Sequence, residues 1–354
     1  MKTKINIDNP SHTFVIAEAG SNWKVGTLEE DLDRAEKLIE IASLSGADAI
    51  KFQTFRSKTV YAENAGQIKY LQEKLNGKSI NDIFSDLSMP YEMLSSLSKL
   101  CDKHEINFMS SPFSVDDAKE VDKFVQIHKI ASYENNHTEL LKFIAETKKP
   151  VLISTGASTL EEISFAIETM KENNSGQLGL LQCTACYPAP MESLNLNSIP
   201  FLKQKYNLPV GLSDHSFDSI ITPIVAIGIG ATIIEKHFTI DRNLPGPDHS
   251  FALEPEELKI MIKNIRIGEK TIGVKEKKIL DVEQELQKFA KRSIQAIKPI
   301  LEGDKLNLGE NIAILRPGNL SRGIEPRFLS DVLGKTATKK IKTGEGIQKS
   351  DYSN

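Results

Sequence analysis

Two histidines stand where metal chemistry needs them. In GLSDHS, His215 closes a short apolar run, and in ATIIEKHFT, His237 closes the next one. Neutral imidazoles at matching positions of adjacent runs suit a divalent ion, for which histidine is the commonest protein ligand. Two nitrogens leave the other positions to oxygen or water, which favours Mn²⁺, Co²⁺ or Mg²⁺ over a closed zinc site. His249, in the loop GPDHS, is a third candidate, although a loop histidine is more often solvated or turned toward substrate.

The lysines point to an anion. In DAIKFQT the two-residue period puts Ile50 and Phe52 on one side and Lys51 and Gln53 on the other. A lysine on a buried strand needs an anionic partner. Lys129, in VQIHKIAS, repeats the arrangement. Converging with the hydroxyls of Ser111, Ser132 and Ser154, the pair suits a phosphate or a carboxylate. The plainer reading lets Lys129 reach out to water along its apolar stem. Glu18, ending FVIAE, is open to two roles, acid–base chemistry or pairing with Lys51, and Glu134 after KIAS shares the ambiguity. Asp248 lies in LPGPDHS, where two prolines and a glycine stiffen a loop and make it a hydroxyl-binding carboxylate. Cys183 and Cys186 form a CxxC without a second pair, so Cys183 reads as core packing on a strand, neither zinc knuckle nor redox couple.

What positions these groups is a repeated element. Eight β-type runs alternate with amphipathic helical stretches, and each run ends in polar residues. They end at Glu18, at Lys51 and Gln53, at Ser110 and Ser111, at Lys129 and Ser132, at Ser154 and Thr155, toward Tyr187, at Asp214 and His215, and at Glu235 and His237. Buried strands that change to ionisable chemistry at their C-terminal ends describe a parallel (β/α)8, or TIM, barrel with its site at the top. A doubly wound open sheet does not explain polar residues at all eight ends. Helical patterns cover 27–46, 89–105, 137–149, 159–173 and 254–272, the first with a Thr N-cap, Glu at the third position and Gly46 at its close. A polar stretch at 56–88 breaks the alternation and reads as a loop over the barrel mouth.

Bulk properties agree with one barrel plus a small unit. The chain has 354 residues, 40% hydrophobic and 26% charged, with a formal charge of −4. That charge argues against nucleic acid or an anionic membrane as the main partner. Three cysteines imply no disulfide framework. No secretory leader pattern and no apolar run near ~20 residues is evident, so the expectation is a cytoplasmic enzyme. The texture divides the chain into a barrel at 1–275, a charged helical linker at 276–289 and a β-rich unit at 290–354.

The stretches FVIAEAGSNWKVG, GADAIKFQT, SSPFS, HKIAS, LISTG, CTACYPAP, GLSDHS, EKHFT and PGPDHS resemble the sialic acid synthase family. RPGNLSRGIEP, followed by LGK, resembles that family's small antifreeze-like (SAF, β-clip) domain. The likeness runs from about residue 13 to 351 with the motifs in family order. It implies condensation of phosphoenolpyruvate with an open-chain N-acylated amino sugar, N-acetylmannosamine first, to a nine-carbon 2-keto acid and phosphate. Legionaminic or pseudaminic acid synthesis, or synthesis of a related surface-polysaccharide sugar, is the alternative. By the family's pattern Lys51, Ser111, Lys129, Ser132, Ser154 and Ser213 hold phosphoenolpyruvate. His215 and His237 bind Mn²⁺ or a similar ion, and Glu18 moves the proton. Gln53, Tyr187 and Asp248 bind the sugar, with Arg316 reaching its N-acyl group from a partner subunit in a domain-swapped homodimer.

Two features depart from the family. Ala185 stands where some members carry an asparagine that touches phosphoenolpyruvate, a contact then lost or taken over by Thr184. The loop NLSR, between Gly318 and Gly323, is longer than in several relatives and bears on the acyl substituent. Two rival functions differ in class. A pyruvate aldolase would use an uncharged lysine as a Schiff base, and a sugar-binding module would use the C-terminal unit alone.

Overall fold

Each of the eight runs is a strand: β1 (Phe14–Gly20), β2 (Ala49–Thr54), β3 (Asn107–Pro112), β4 (His128–Ile130), β5 (Val151–Ser154), β6 (Leu178–Cys183), β7 (Val210–Asp214) and β8 (Ile233–His237). The computed structural model describes residues 2–66 and 78–353. All neighbouring strands run parallel, in the order β3-β2-β1-β8-β7-β6-β5-β4. Pairing of the first strand with the last curls the sheet round, and β3 lies against β4 to bring the barrel near closure. The chain divides into two units, Met1–Gly273 and Val274–Asn354.

The five helical patterns form helices Leu28–Ser45, Tyr91–Lys103, Thr138–Glu146, Leu160–Glu172 and Pro255–Ile272. Thr27 and Glu30 make a reciprocal capping box, as do Thr159 and Glu162. Helices Val115–Asp122, Ser198–Tyr206 and Ile221–Gly228 complete the crossovers. The polar stretch at 56–88 differs from the expected loop. Its described part holds helices Ser57–Val60 and Ile80–Asp86, and the rings of Phe55 and Tyr61 pack on Phe84 at 4.7 and 4.8 Å. Residues 67–77 lie outside the described residues.

The two sides of each strand do different work. Val15, Ala17, Ile50, Phe52, Ile153 and Ile234 point outward into the hydrophobic layer beneath the helices. Phe14, Ile16, Ala49, Met109, Ile127, Leu152, Leu181 and Ile233 point inward and fill the lower barrel together with Ile7. Ile7 is fastened there through its carbonyl, which accepts a 2.7 Å bond from the Thr232 hydroxyl. Burying each such large side chain is worth about 1.5–3 kcal/mol. Among the described residues no helix is long and apolar enough to cross a membrane.

The second unit opens with helix Gln284–Ala290 and pairs β9 (Ser293–Ala296) with β10 (Ile312–Leu315), antiparallel. A second short pair joins β11 (Thr336–Ala337) to β12 (Tyr352–Ser353). Ile294, Leu306, Ile312, Val332, Ile341 and Ile347 form its core. The Gly318 amide donates to the Phe289 carbonyl at 3.0 Å, tying the connector helix to the loop that holds Arg316.

Candidate active site

Above the apolar floor the inward side chains change to charge within one step of the two-residue period. On β1 the series is Phe14, Ile16, Glu18; on β2, Ala49, Lys51, Gln53; on β8, Ile233, Glu235, His237. The first polar level is an ion network. Lys51 Nζ lies 2.7 Å from Glu18 Oε2 and 3.6 Å from Glu235 Oε2, and Lys129 Nζ lies 3.8 Å from Glu235 Oε1. Lys51 also donates to Ser111 Oγ at 3.2 Å, and Lys129 donates to Ser154 Oγ at 2.7 Å. Ser213 Oγ donates to Glu235 Oε1 at 2.9 Å, and Gln53 donates to Glu18 Oε1 at 2.8 Å. Lys129 is therefore buried and bonded, which excludes the reading in which it reaches out to water.

The environments drive the two carboxylates apart. Burial raises Glu18 to about 7 against the opposing pull of Lys51. Burial acts on Glu235 too, but Lys129 and Lys51 outweigh it and hold the carboxyl down at about 2. Lys51 is raised because Glu18 and Glu235 overcome its burial, whereas burial wins at Lys129 and lowers it. With Glu18 protonated, two ammonium groups face one carboxylate, a net positive pocket suited to an anion. A charged, carboxylate-paired Lys51 is the wrong state for an imine-forming lysine.

The imidazoles form the next level. His215 and His237 have ring centroids 5.4 Å apart, with Tyr187 at 4.2 Å from His215 and Phe251 at 5.0 Å from His237. His215 Nδ1 is 2.9 Å from the Thr184 carbonyl, which can only accept, so Nδ1 is the donor and the lone pair of the neutral ring is on Nε2. His237 is buried and lowered to about 4, chiefly by desolvation, so it is neutral at ordinary pH, and its Nδ1 has no hydrogen-bond partner. Asp248 stands at the rim, its Oδ2 accepting from the Ser21 amide at 2.9 Å and the Ser21 hydroxyl at 2.7 Å.

Several expectations need revision. Cys183 is buried at the end of β6 as expected, but its thiol also faces the barrel interior, 3.8 Å from His215 Nδ1. Burial would raise that thiol, but His215, Ser132 and Lys129 bring it below its ordinary value. Cys186 is exposed. His249 is not solvated; it is buried, with Nδ1 2.7 Å from Thr239 Oγ1. The Thr184 hydroxyl donates to the Ser193 carbonyl at 2.8 Å. Polar strand ends do not all face inward. Ser110 bonds Thr54 behind the sheet, and Asp214 pairs with Lys236 at 2.7 Å.

Ser132 accepts from the Gly156 amide at 3.0 Å, next to Cys183, and Glu134 follows it, buried, with Oε2 unpartnered. Arg316 is exposed in the second unit. Sequence reasoning assigned no role to Glu235, which bridges both lysines, or to Ser21. Glu235 was visible as an acid two residues before His237 on the same strand face. Ser21 gave no signal, because its partner is 227 residues away.

The model of the NeuB family matches residues 38–277, and that of the SAF domain matches residues 291–353. Pseudaminic acid synthase from Campylobacter jejuni is 35% identical over 98% of this chain and 98% of its own length. N,N'-diacetyllegionaminic acid synthase from Legionella pneumophila is 36% identical over 94% of this chain and 92% of its own. Among solved structures, the N-acetylneuraminic acid (sialic acid) synthetase of Leptospira borgpetersenii, in complex with citrate, superposes with a TM-score of 0.70. It shares 32% identity and covers 81% of this chain and 95% of its own. With its barrel and its second unit both matched, and relatives aligned nearly end to end, the chain belongs to the NeuB family.

Proposed function

We propose that this protein is a nonulosonic acid synthase, joining phosphoenolpyruvate to an open-chain N-acylated amino sugar. One observation carries the reading: the Lys51–Glu18–Glu235–Lys129 layer lies directly under two neighbouring imidazoles. An anion site beneath a Lewis-acid site is what this condensation needs. The names of the relatives, synthases of pseudaminic and diacetyllegionaminic acid, support the same chemistry.

In this mechanism Lys51 and Lys129, with Ser111, Ser132, Ser154 and Ser213, hold the phosphate and carboxylate of phosphoenolpyruvate. C3 of the enol attacks the sugar aldehyde carbon, and Glu18, protonated when phosphoenolpyruvate binds, gives its proton to the resulting alkoxide. Water adds at C2 and gives its proton to Glu18, whose acidity near neutral pH lets it accept and return one. The C2–O bond of the phosphate ester then breaks, phosphate leaves with the electron pair and takes up the proton of the C2 hydroxyl, and C2 becomes the keto carbon. Glu235 stays ionised and favours the charged form of both lysines against their burial. Gln53, Tyr187 and Asp248 line the level where the sugar would lie, and Arg316 reaches the acyl group from the partner subunit of a domain-swapped dimer.

The imidazoles fit a divalent cation. His215 keeps Nε2 free through its bond to Thr184, and His237 is neutral with a buried nitrogen lacking a partner. Among the described residues no group of three or more His, Cys, Asp or Glu side chains could hold a metal, so water or substrate oxygen would complete the shell. Mn²⁺, or Co²⁺ or Mg²⁺ in its place, would polarise the aldehyde oxygen as a Lewis acid.

The acceptor divides the reading. Relatives named for pseudaminic and N,N'-diacetyllegionaminic acid are 35% and 36% identical and the sialic acid synthetase 32%, so identity does not choose between N-acetylmannosamine and the diacetamido sugars. Ala185 and the loop 319–322 are the features of this chain that bear on the choice. The test is phosphate release with phosphoenolpyruvate, Mn²⁺ and each acceptor in turn. Release with one class, lost in the presence of a chelator and in His215→Ala and His237→Ala with far-UV circular dichroism unchanged, is the expected result. No release with any acceptor, or an unfolded His237→Ala protein, sinks the assignment.

A further inference from the structure

We infer that Ser21 is the positioning residue that aims Asp248 into the barrel mouth, and that Gly20 is a glycine because that aim leaves no room for a side chain. The inference rests on the reading of Asp248 as a carboxylate for acceptor hydroxyls.

The argument begins in the strand. The β1–β2 register shifts between Glu18 and Gly20, and Gly20 has φ +52°, a left-handed turn open to glycine at little strain. Glu18, before the shift, faces Lys51; Ser21, after it, faces Asp248. The corner is fixed on both sides. The Asn22 amide donates to the Ala19 carbonyl at 2.9 Å, and the Phe238 amide donates to the Glu18 carbonyl at 3.0 Å. The buried Asn22 side chain donates to the Phe238 carbonyl at 2.8 Å. Ser21 is thus mounted on rigid backbone bolted to the end of β8.

Asp248 has no such mount. It lies in the irregular loop between β8 and helix Pro255–Ile272. Its orientation comes from Ser21, whose amide and hydroxyl both donate to Oδ2, while Oδ1 takes no hydrogen bond from the described residues. Two donors on one oxygen fix the carboxylate's rotation, leaving the other oxygen's lone pairs for a ligand. A Cβ on Gly20 would lie 2.5 Å from Asp248 Oδ2 and 3.4 Å from His237 Cε1. Any larger residue there must displace the carboxylate or the imidazole.

Kinetics of the full-length protein test this with Ser21→Ala, Ser21→Thr, Gly20→Ala, Asp248→Asn and the Ser21→Ala/Asp248→Asn double variant. The assay is phosphate release with Mn²⁺ and the acceptor that the wild type uses. Loss of one bond to a charged group should raise the acceptor KM about ten-fold in Ser21→Ala. The phosphoenolpyruvate KM should stay within about two-fold of wild type, Ser21→Thr should restore most of the loss, and Gly20→Ala should be at least as impaired. The double variant should be no worse than Asp248→Asn, since the hydroxyl acts only through the carboxylate. An unchanged acceptor KM in Ser21→Ala, equal loss for both substrates, or multiplying losses in the double variant overturns the inference. A wild type inert with every acceptor defeats the proposed function instead. In that case a crystal structure of Ser21→Ala decides: a rotated or disordered Asp248 carboxylate upholds the positioning role, and an unmoved one removes it.

Discussion

Glu18, Glu134 and Glu235 are all buried carboxylates, and their surroundings give them different proton affinities. Glu235 faces both lysines and is held ionised, while Glu18 has Lys51 and Gln53 and rises to about 7. Glu134 also rises to about 7, driven by burial that Lys129 only partly opposes, and its Oε2 lacks a partner. Its effect on stability has a definite sign. Below the ordinary value of 4.5 both folded and unfolded chains carry the proton, and nothing changes with pH. Between 4.5 and about 7 the unfolded chain ionises while the folded one keeps its proton, so stability falls as pH rises. Above that window the loss is complete. Glu134→Gln should therefore stabilise the protein by up to about 3 kcal/mol at pH 8 and by close to nothing at pH 4. Urea melts at the two pH values check this, and an equal difference at both would show that Glu134 is not held protonated by its site.

On β8 three successive residues serve two places: Glu235 and His237 face the site, and Lys236 between them faces outward. Lys236 is fully buried there, paired with Asp214 at 2.7 Å and donating to the carbonyls of Ser216 and Asp218 at 2.5 and 3.0 Å. Removing one member of such a pair strands the other charge, so Asp214→Ala should lose about 3–5 kcal/mol in chemical denaturation. A loss below about 1 kcal/mol would mean that water reaches the ammonium group. This strand also shows what could be read before folding. Alternation separates Glu235 and His237 from Lys236 but does not say which set faces inward, so Asp214 and Ser110 were counted with the site's strand ends. Five helices were legible from caps and apolar spacing. Helix Ile221–Gly228 was not, because Pro223 sits in its first turn and nearly every side chain is apolar, leaving no polar face to set a period. The site residues carried by strands, Lys51, Lys129 and His237, and His215 one residue past β7, were visible for the same periodic reason. The ion pairs among them and the Ser21 clamp join distant segments, which only the closed barrel brings together.

At the scale of the whole chain, the second unit exposes hydrocarbon that a solitary subunit would leave wet. Val282 is 87% exposed and Leu286 66%, with Ile279, Leu280 and Phe289 alongside in sequence. A run of exposed apolar residues marks a contact surface, and the proposed dimer supplies a partner for it. Val282→Asp with Leu286→Asp should convert a dimer into monomers in sedimentation without altering far-UV circular dichroism. A double variant that still sediments as a dimer would put the interface elsewhere. The barrel itself sets one more condition. Ile7, Phe14, Ile16, Met109 and Ile233 seal its lower end with close-packed hydrocarbon. The lysine layer is consequently sealed from beneath. On the proposed function, phosphoenolpyruvate would enter ahead of the acceptor sugar, an order that product-inhibition kinetics would check.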